Sequence, residues 1–158
     1  MPRSAYADPP GRVRKWLDQT RAERKFKVYP DHAAFAQRLM RDNPRLTAER
    51  AGFIARNVTD PCEGGVRFAA DPCHFWSNPV YYPIEDAKAA WRQATASVLW
   101  LIARDSAIVK AFEADKEDYL ARIACFRDLK QVALDDAGHN MQHDQPEQVA
   151  RLIEEFFA

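Results

Sequence analysis

A chain of 158 residues carries 23 Lys and Arg against 23 Asp and Glu, so its net charge selects neither a nucleic acid nor an anionic membrane as partner. Its length fits one domain with room for a buried core, and its longest apolar run, around Val98 to Ala103, is far too short to span a bilayer. Three cysteines, Cys62, Cys73 and Cys125, make no even disulfide framework and no signal peptide is visible, so the expectation is a soluble cytoplasmic chain with reduced thiols.

From the N-terminus, Pro2, Pro9, Pro10 and Gly11 make the first stretch irregular, and Arg12 to Phe26 reads as a surface helix with Val13, Trp16 and Leu17 on one side. Asp31 is a good N-cap for a helix through about Arg41 with Phe35, Leu39 and Met40 inward. Thr47 opens a third helix through about Arg56, expected to bury Phe53 and Ile54. These three helices, joined by Pro-containing turns, predict a helical module rather than a sheet. Thr59 to Pro83 then changes character: Pro and Gly recur, and Phe68, Phe75, Trp76, Tyr81 and Tyr82 stand between them. Only Val66 to Ala70 reads as extended; the rest is an aromatic-rich loop that packs over a core or lines a pocket wall.

Glu85 to Ala94 is helical by composition. Ser97 to Ala103 is the clearest strand, and its nearly continuous apolar run suits a parallel strand covered on both faces. The region Ala107 to Phe126 is largely helical, with Phe112, Leu120, Ile123 and Phe126 as core candidates, and it crosses over to a second strand at Val132–Leu134. A turn (Asp135, Asp136, Ala137, Gly138) delivers His139, and a helix follows from about Pro146 with Val149, Ala150, Ile153, Phe156 and Phe157 on one face. Strand, helix, strand, helix is a right-handed parallel crossover. The loops after its strands meet at one sheet end, where ligands bind in open α/β sheets.

The run AGHNMQHDQPEQVARLIEEFF resembles the C-terminal signature of α/β-hydrolase-fold enzymes, in its details the serine hydrolase-like and valacyclovir-hydrolase-like branch. VLWLIARDS is similar to the penultimate-strand segment of that fold, and DPCHFWSNPVYYP to its lid-to-core return. The resemblance implies that His139 is the general base of a Ser–acid–His triad and Asp105 its carboxylate, with Asp135 and Asp136 as the runners-up. A helix N-cap or an ion pair with Arg104 is the alternative job for Asp105. It implies, more loosely, that Phe75, Trp76, Tyr81 and Tyr82 face substrate. Ala103-Arg104 departs from the family, where Gly and a polar residue are common before the acid.

The nucleophile has no candidate. None of Ser4, Ser77, Ser97 and Ser106 has a glycine two residues away on either side, so no Gly-x-Ser-x-Gly elbow exists, and the Gly-rich oxyanion loop is absent too. The fold expected is therefore α/β but partial: residues 1–95 a helical lid with its return loop, and 96–158 the last two parallel strands and flanking helices of a hydrolase core. The activity implied is hydrolysis of small carboxylic esters or amides, without cofactor or metal, with the nucleophile outside this chain. The partner would be the missing N-terminal half or a second copy, and the alternative is a non-catalytic remnant acting by protein association. His139 and His143 stand four apart but lack the Glu of a helical zinc motif, and Cys62, Cys73 and His74 fit no zinc spacing.

Overall fold

The computed structural model describes residues 8–22, 25–80 and 83–158. These divide into two compact units, one spanning Asp8–Val80 and one formed by the residues that follow.

In the first unit, α1 (Pro9–Arg21) begins earlier than the prolines suggest. Asp8 accepts a hydrogen bond from Gly11 N at 2.9 Å, and Pro9 and Pro10 occupy the first turn, where a missing N–H costs nothing. Two capped helices follow. Asp31 accepts from Ala34 N at 2.8 Å ahead of α2 (His32–Asp42), and Thr47 Oγ1 accepts from Arg50 N at 3.2 Å ahead of α3 (Ala48–Val58). The α2–α3 pair closes on Phe35, Ala36, Ala51 and Ala55. Phe53, expected inside, is 63 % exposed, because the small residues Ala51 and Ala55 form the face on which α2 lies.

This module is not purely helical. Strands β1 (Val28–Tyr29), β2 (Thr59–Cys62) and β3 (Gly65–Phe68) form an antiparallel sheet in the order β1-β3-β2. The expectation of a loop failed at β2 because Pro61 lies within it, yet β2 is an edge strand, where Pro is tolerated. Cys62 pairs with Gly65, so the hairpin turns on Glu63 and Gly64, with Gly64 at φ 82°, the positive value a type II turn demands at that position. Gly65 has φ 139°, and a methyl there would run into the carbonyl oxygens of Tyr29 and Pro30. Gly65→Ala is therefore expected to lower stability by about 1–3 kcal/mol. By contrast Gly52→Ala, within α3 and meeting only Arg56 Nη1 at 3.5 Å, is expected to be neutral or to gain up to about 1 kcal/mol. Urea midpoints of the two variants measure the contrast.

In the second unit, α4 (Ile84–Trp91) precedes β4 (Val98–Ala103); α5 (Ala107–Glu113) and α6 (Lys116–Ile123) then lead to β5 (Leu129–Leu134). The strands pair in parallel over their whole length, Val98 opposite Leu129 and Ala103 opposite Leu134. Alternate residues face opposite sides. One face (Leu101, Ala103, Leu134) packs with Ala137, Met141, Val149 and Leu152, from the turn after β5 and the helices α7 (Met141–Asp144) and α8 (Pro146–Phe157). On the other face Trp100 contacts Tyr119 and Phe126 edge-on, and Phe126 stacks on Trp91.

Two core expectations are corrected here. Leu120 is 52 % exposed, because α6 turns Asp118 and Arg122 inward. On α8, Val149 and Leu152 meet the sheet while Ile153 and Phe157 remain exposed, Phe157 to 79 %. Among the described residues no helix is long and apolar enough to cross a membrane.

Candidate active site

The site is built where β4 and β5 end. Both strands finish on a buried residue, Ala103 and Leu134, the latter with no exposed surface, which fixes the depth at which each chain leaves the sheet. The two exit turns are then bonded to each other. Arg104 N donates to Leu134 O at 3.0 Å, and Asp105 N donates to Ala137 O at 3.1 Å. Asp105 and the His139 turn thus lie at the same end of the parallel pair, with both side chains exposed to solvent.

Asp105 is not the helix cap. Ser106 is the N-cap of α5, its Oγ accepting from Ile108 N at 3.3 Å. Arg104 Nε pairs with Asp135 Oδ1 at 2.6 Å across the two turns, which gives this runner-up carboxylate a structural task. Asp136 sits at φ 53°, a left-handed turn position that Asp tolerates better than most residues.

His139 stands on an anchored turn. Ala137 is fully buried, Gly138 N donates to Asp144 Oδ2 at 2.7 Å, and Gln145 Nε2 donates to Asp135 O at 2.7 Å. Asp144 itself is only 5 % exposed. Sequence reasoning assigned Asp144 no part in the site. The signal that could have found it is its place just before Gln145-Pro146, where α7 ends and the chain restarts as α8.

A cavity of about 400 Å³ adjoins the site, with His139, Ser106, Met141 and Phe112 on its wall. Trp100, Leu101, Ile102 and Ala103 also line it. Successive strand residues point to opposite faces, so a space that touches four in a row runs along the outer hydrogen-bonding edge of β4, which pairs with no strand among the described residues. Of the remaining candidates, Phe75 and Trp76 belong to the first unit, where Phe75 stands edge-on to Phe26 and Phe68 at 5.6 and 5.8 Å. Tyr81 and Tyr82 lie outside the described residues. Among the described residues no three His, Cys, Asp or Glu side chains gather as a metal site.

Comparison with solved structures decides the architecture. A thioesterase domain from the curacin biosynthetic pathway superposes with a TM-score of 0.74 over 92 % of this chain and 50 % of its own, at 22 % identity. The chain has a partial α/β-hydrolase fold. It also matches E-2-(acetamidomethylene)succinate hydrolase (TM-score 0.66, 19 % identity, 99 % of this chain and 54 % of that one). An esterase of Mycobacterium tuberculosis matches with TM-score 0.69 and 11 % identity over 92 % of this chain and 47 % of its own. The chain spans about half the length of each of these hydrolases. No family model and no curated protein matches the sequence.

Proposed function

We propose that this chain is the C-terminal part of a serine hydrolase of small carboxylic esters or amides, completed by a segment that brings the nucleophile and the oxyanion hole. That serine attacks the acyl carbonyl; His139 takes its proton and passes it to the leaving group; Asp105 orients His139 and stabilises the imidazolium. The observation that carries the reading is the hydrogen bond from Asp105 N to Ala137 O, which ties the carboxylate's turn to the histidine's turn at one end of the sheet. Thioesterase, hydrolase and esterase relatives in structure support the same class.

The chemistry of the two sheet edges supports a missing neighbour. β5 reads LKQVAL, with Lys130 and Gln131 exposed, as suits an edge meant for water. β4 reads VLWLIA without one charge, and its outer edge lines the cavity. A further core strand belongs there. The open edge also favours a second reading, in which the chain is a non-catalytic remnant that acts by association alone.

Co-expression with the polypeptide encoded immediately upstream of Met1 separates the two. The hydrolase reading expects a one-to-one complex that turns over p-nitrophenyl esters, with a fluorophosphonate label confined to a Gly-x-Ser-x-Gly serine of the partner. A stable complex that neither hydrolyses nor labels leaves the association reading standing, and a label on this chain overturns the placement of the nucleophile.

A further inference from the structure

We infer that Asp144 is a positioning residue for His139, holding the turn that presents the imidazole through a charge-assisted bond to the backbone. The inference rests on the hydrolase reading for its catalytic consequence but not for its geometry. Asp144 is almost fully buried, and burying a carboxylate costs several kcal/mol unless it is well bonded. Its Oδ2 accepts from Gly138 N at 2.7 Å, at the short end of the range for N–H···O bonds. Gly138 N–H belongs to the Ala137–Gly138 peptide, one peptide ahead of His139, so this bond fixes the histidine's turn from six residues downstream. The same loop is closed a second time by Gln145 Nε2 on Asp135 O and a third time by His143 N on Asn140 O at 2.8 Å. The bonds from Asp144 and Gln145 bracket the histidine from both sides, which leaves the exposed imidazole as the free-standing tip of a fixed turn.

A buried acid used this way confines where the base can stand without touching substrate. Its loss would free the N–H side of the Ala137–Gly138 peptide just ahead of His139, and a displacement of about 1 Å can cost on the order of 100-fold in rate. The Asp105 backbone N–H holds the same Ala137–Gly138 peptide by its carbonyl, so Asp144 secures the N–H side that Asp105 does not reach.

The test uses ¹⁵N-labelled chain. In the wild type the Gly138 amide proton is expected far downfield and exchanging slowly. In Asp144→Asn, which keeps an acceptor oxygen without the charge, the Gly138 amide is expected to move upfield and its exchange to rise about tenfold, while amides of β5 stay unchanged. In the reassembled hydrolase the same variant is expected to lower kcat more than tenfold with KM unchanged, and Asp144→Ala about 100-fold, with Asp144→Glu restoring part of it. An Asp144→Asn chain whose Gly138 amide keeps its chemical shift and its protection overturns the inference, whether or not Asp144→Ala folds. A perturbed Gly138 in a complex without ester turnover leaves the positioning intact and removes the hydrolase reading instead.

Discussion

Asp118→Ala is expected to lower the unfolding free energy by about 3–5 kcal/mol, a large share of the 5–15 kcal/mol typical of a domain. Asp118 is 4 % exposed and joins α6 to α4. Its Oδ2 accepts from Arg122 Nε at 2.7 Å and Nη2 at 2.6 Å, and its Oδ1 accepts from Lys88 Nζ at 3.1 Å. Lys88 and Arg122 are buried as deeply as the acid between them. Removing the carboxylate leaves two cations in a poorly solvated space with their shared counter-charge gone. Lys88 retains Glu85 at 3.0 Å, whose side chain is largely in solvent, and Arg122 retains the ring of Phe112 at 5.0 Å, neither of which replaces a buried anion. Glu85→Ala, removing the exposed partner, is expected to cost no more than about 1 kcal/mol.

The pH dependence has a definite sign. Burial opposes the Asp118 charge, but the hydrogen bonds from Arg122 and Lys88 outweigh it and hold the carboxyl below its ordinary value of 3.8. Its contribution is present above that value and is lost as pH falls through the lower folded one. Lys88 is held above 10.5, first by Glu85 and then by Asp118, so its contribution is present below 10.5 and lost as pH rises through the higher folded value. Urea unfolding should find the wild type and Asp118→Ala far apart at pH 7 and converging in strong acid. Curves separated by the same margin at both pH values would show that the ion cluster is not what Asp118 contributes.

That cluster also marks where reading the sequence stops. Asp118 and Arg122 are four apart on a helix, a spacing visible in the sequence, but i, i+4 pairs are usually solvent-exposed and of little weight. What turns this one inward is Lys88, thirty residues earlier, and no local pattern announces so distant a partner. The parallel pair was legible because its signals are local: VLWLIA has no polar residue, and the turn ahead of His139 is short. The helices α2 and α3 were legible from their caps, Asp31 and Thr47. The hairpin β2–β3 was not, because Pro61 and Asp60 are poor strand formers and only the edge position of β2 admits them. At the site, the neighbouring turns of Asp105 and His139 followed from the parallel crossover, whereas the load carried by Asp144 depends on a fold-back of six residues that propensity does not encode.

His139→Ala in the reassembled hydrolase is expected to cut ester turnover by roughly 10⁴-fold or more, since removing the base of such a triad leaves only what binding and the oxyanion hole supply. The same substitution is expected to shift stability by no more than about 0.5 kcal/mol, because the imidazole is exposed and the turn is held by the buried Ala137 and by the bond from Gly138 N to Asp144. This separation of effects is the diagnostic. Asp118→Ala should lose fold and activity together, and His139→Ala activity alone. Asp105→Asn should resemble the histidine variant, with a loss of about 10⁴-fold at nearly unchanged stability, because the amide can no longer balance the imidazolium. His143→Ala is the control: His143 lies on α7, past the turn, and should retain activity within a few-fold. Turnover of a p-nitrophenyl ester and urea midpoints measured on the same preparations give both axes. Retention of more than a tenth of wild-type turnover by His139→Ala would move the general base to another residue, and with it the reason for reading the joined turns as a catalytic pair.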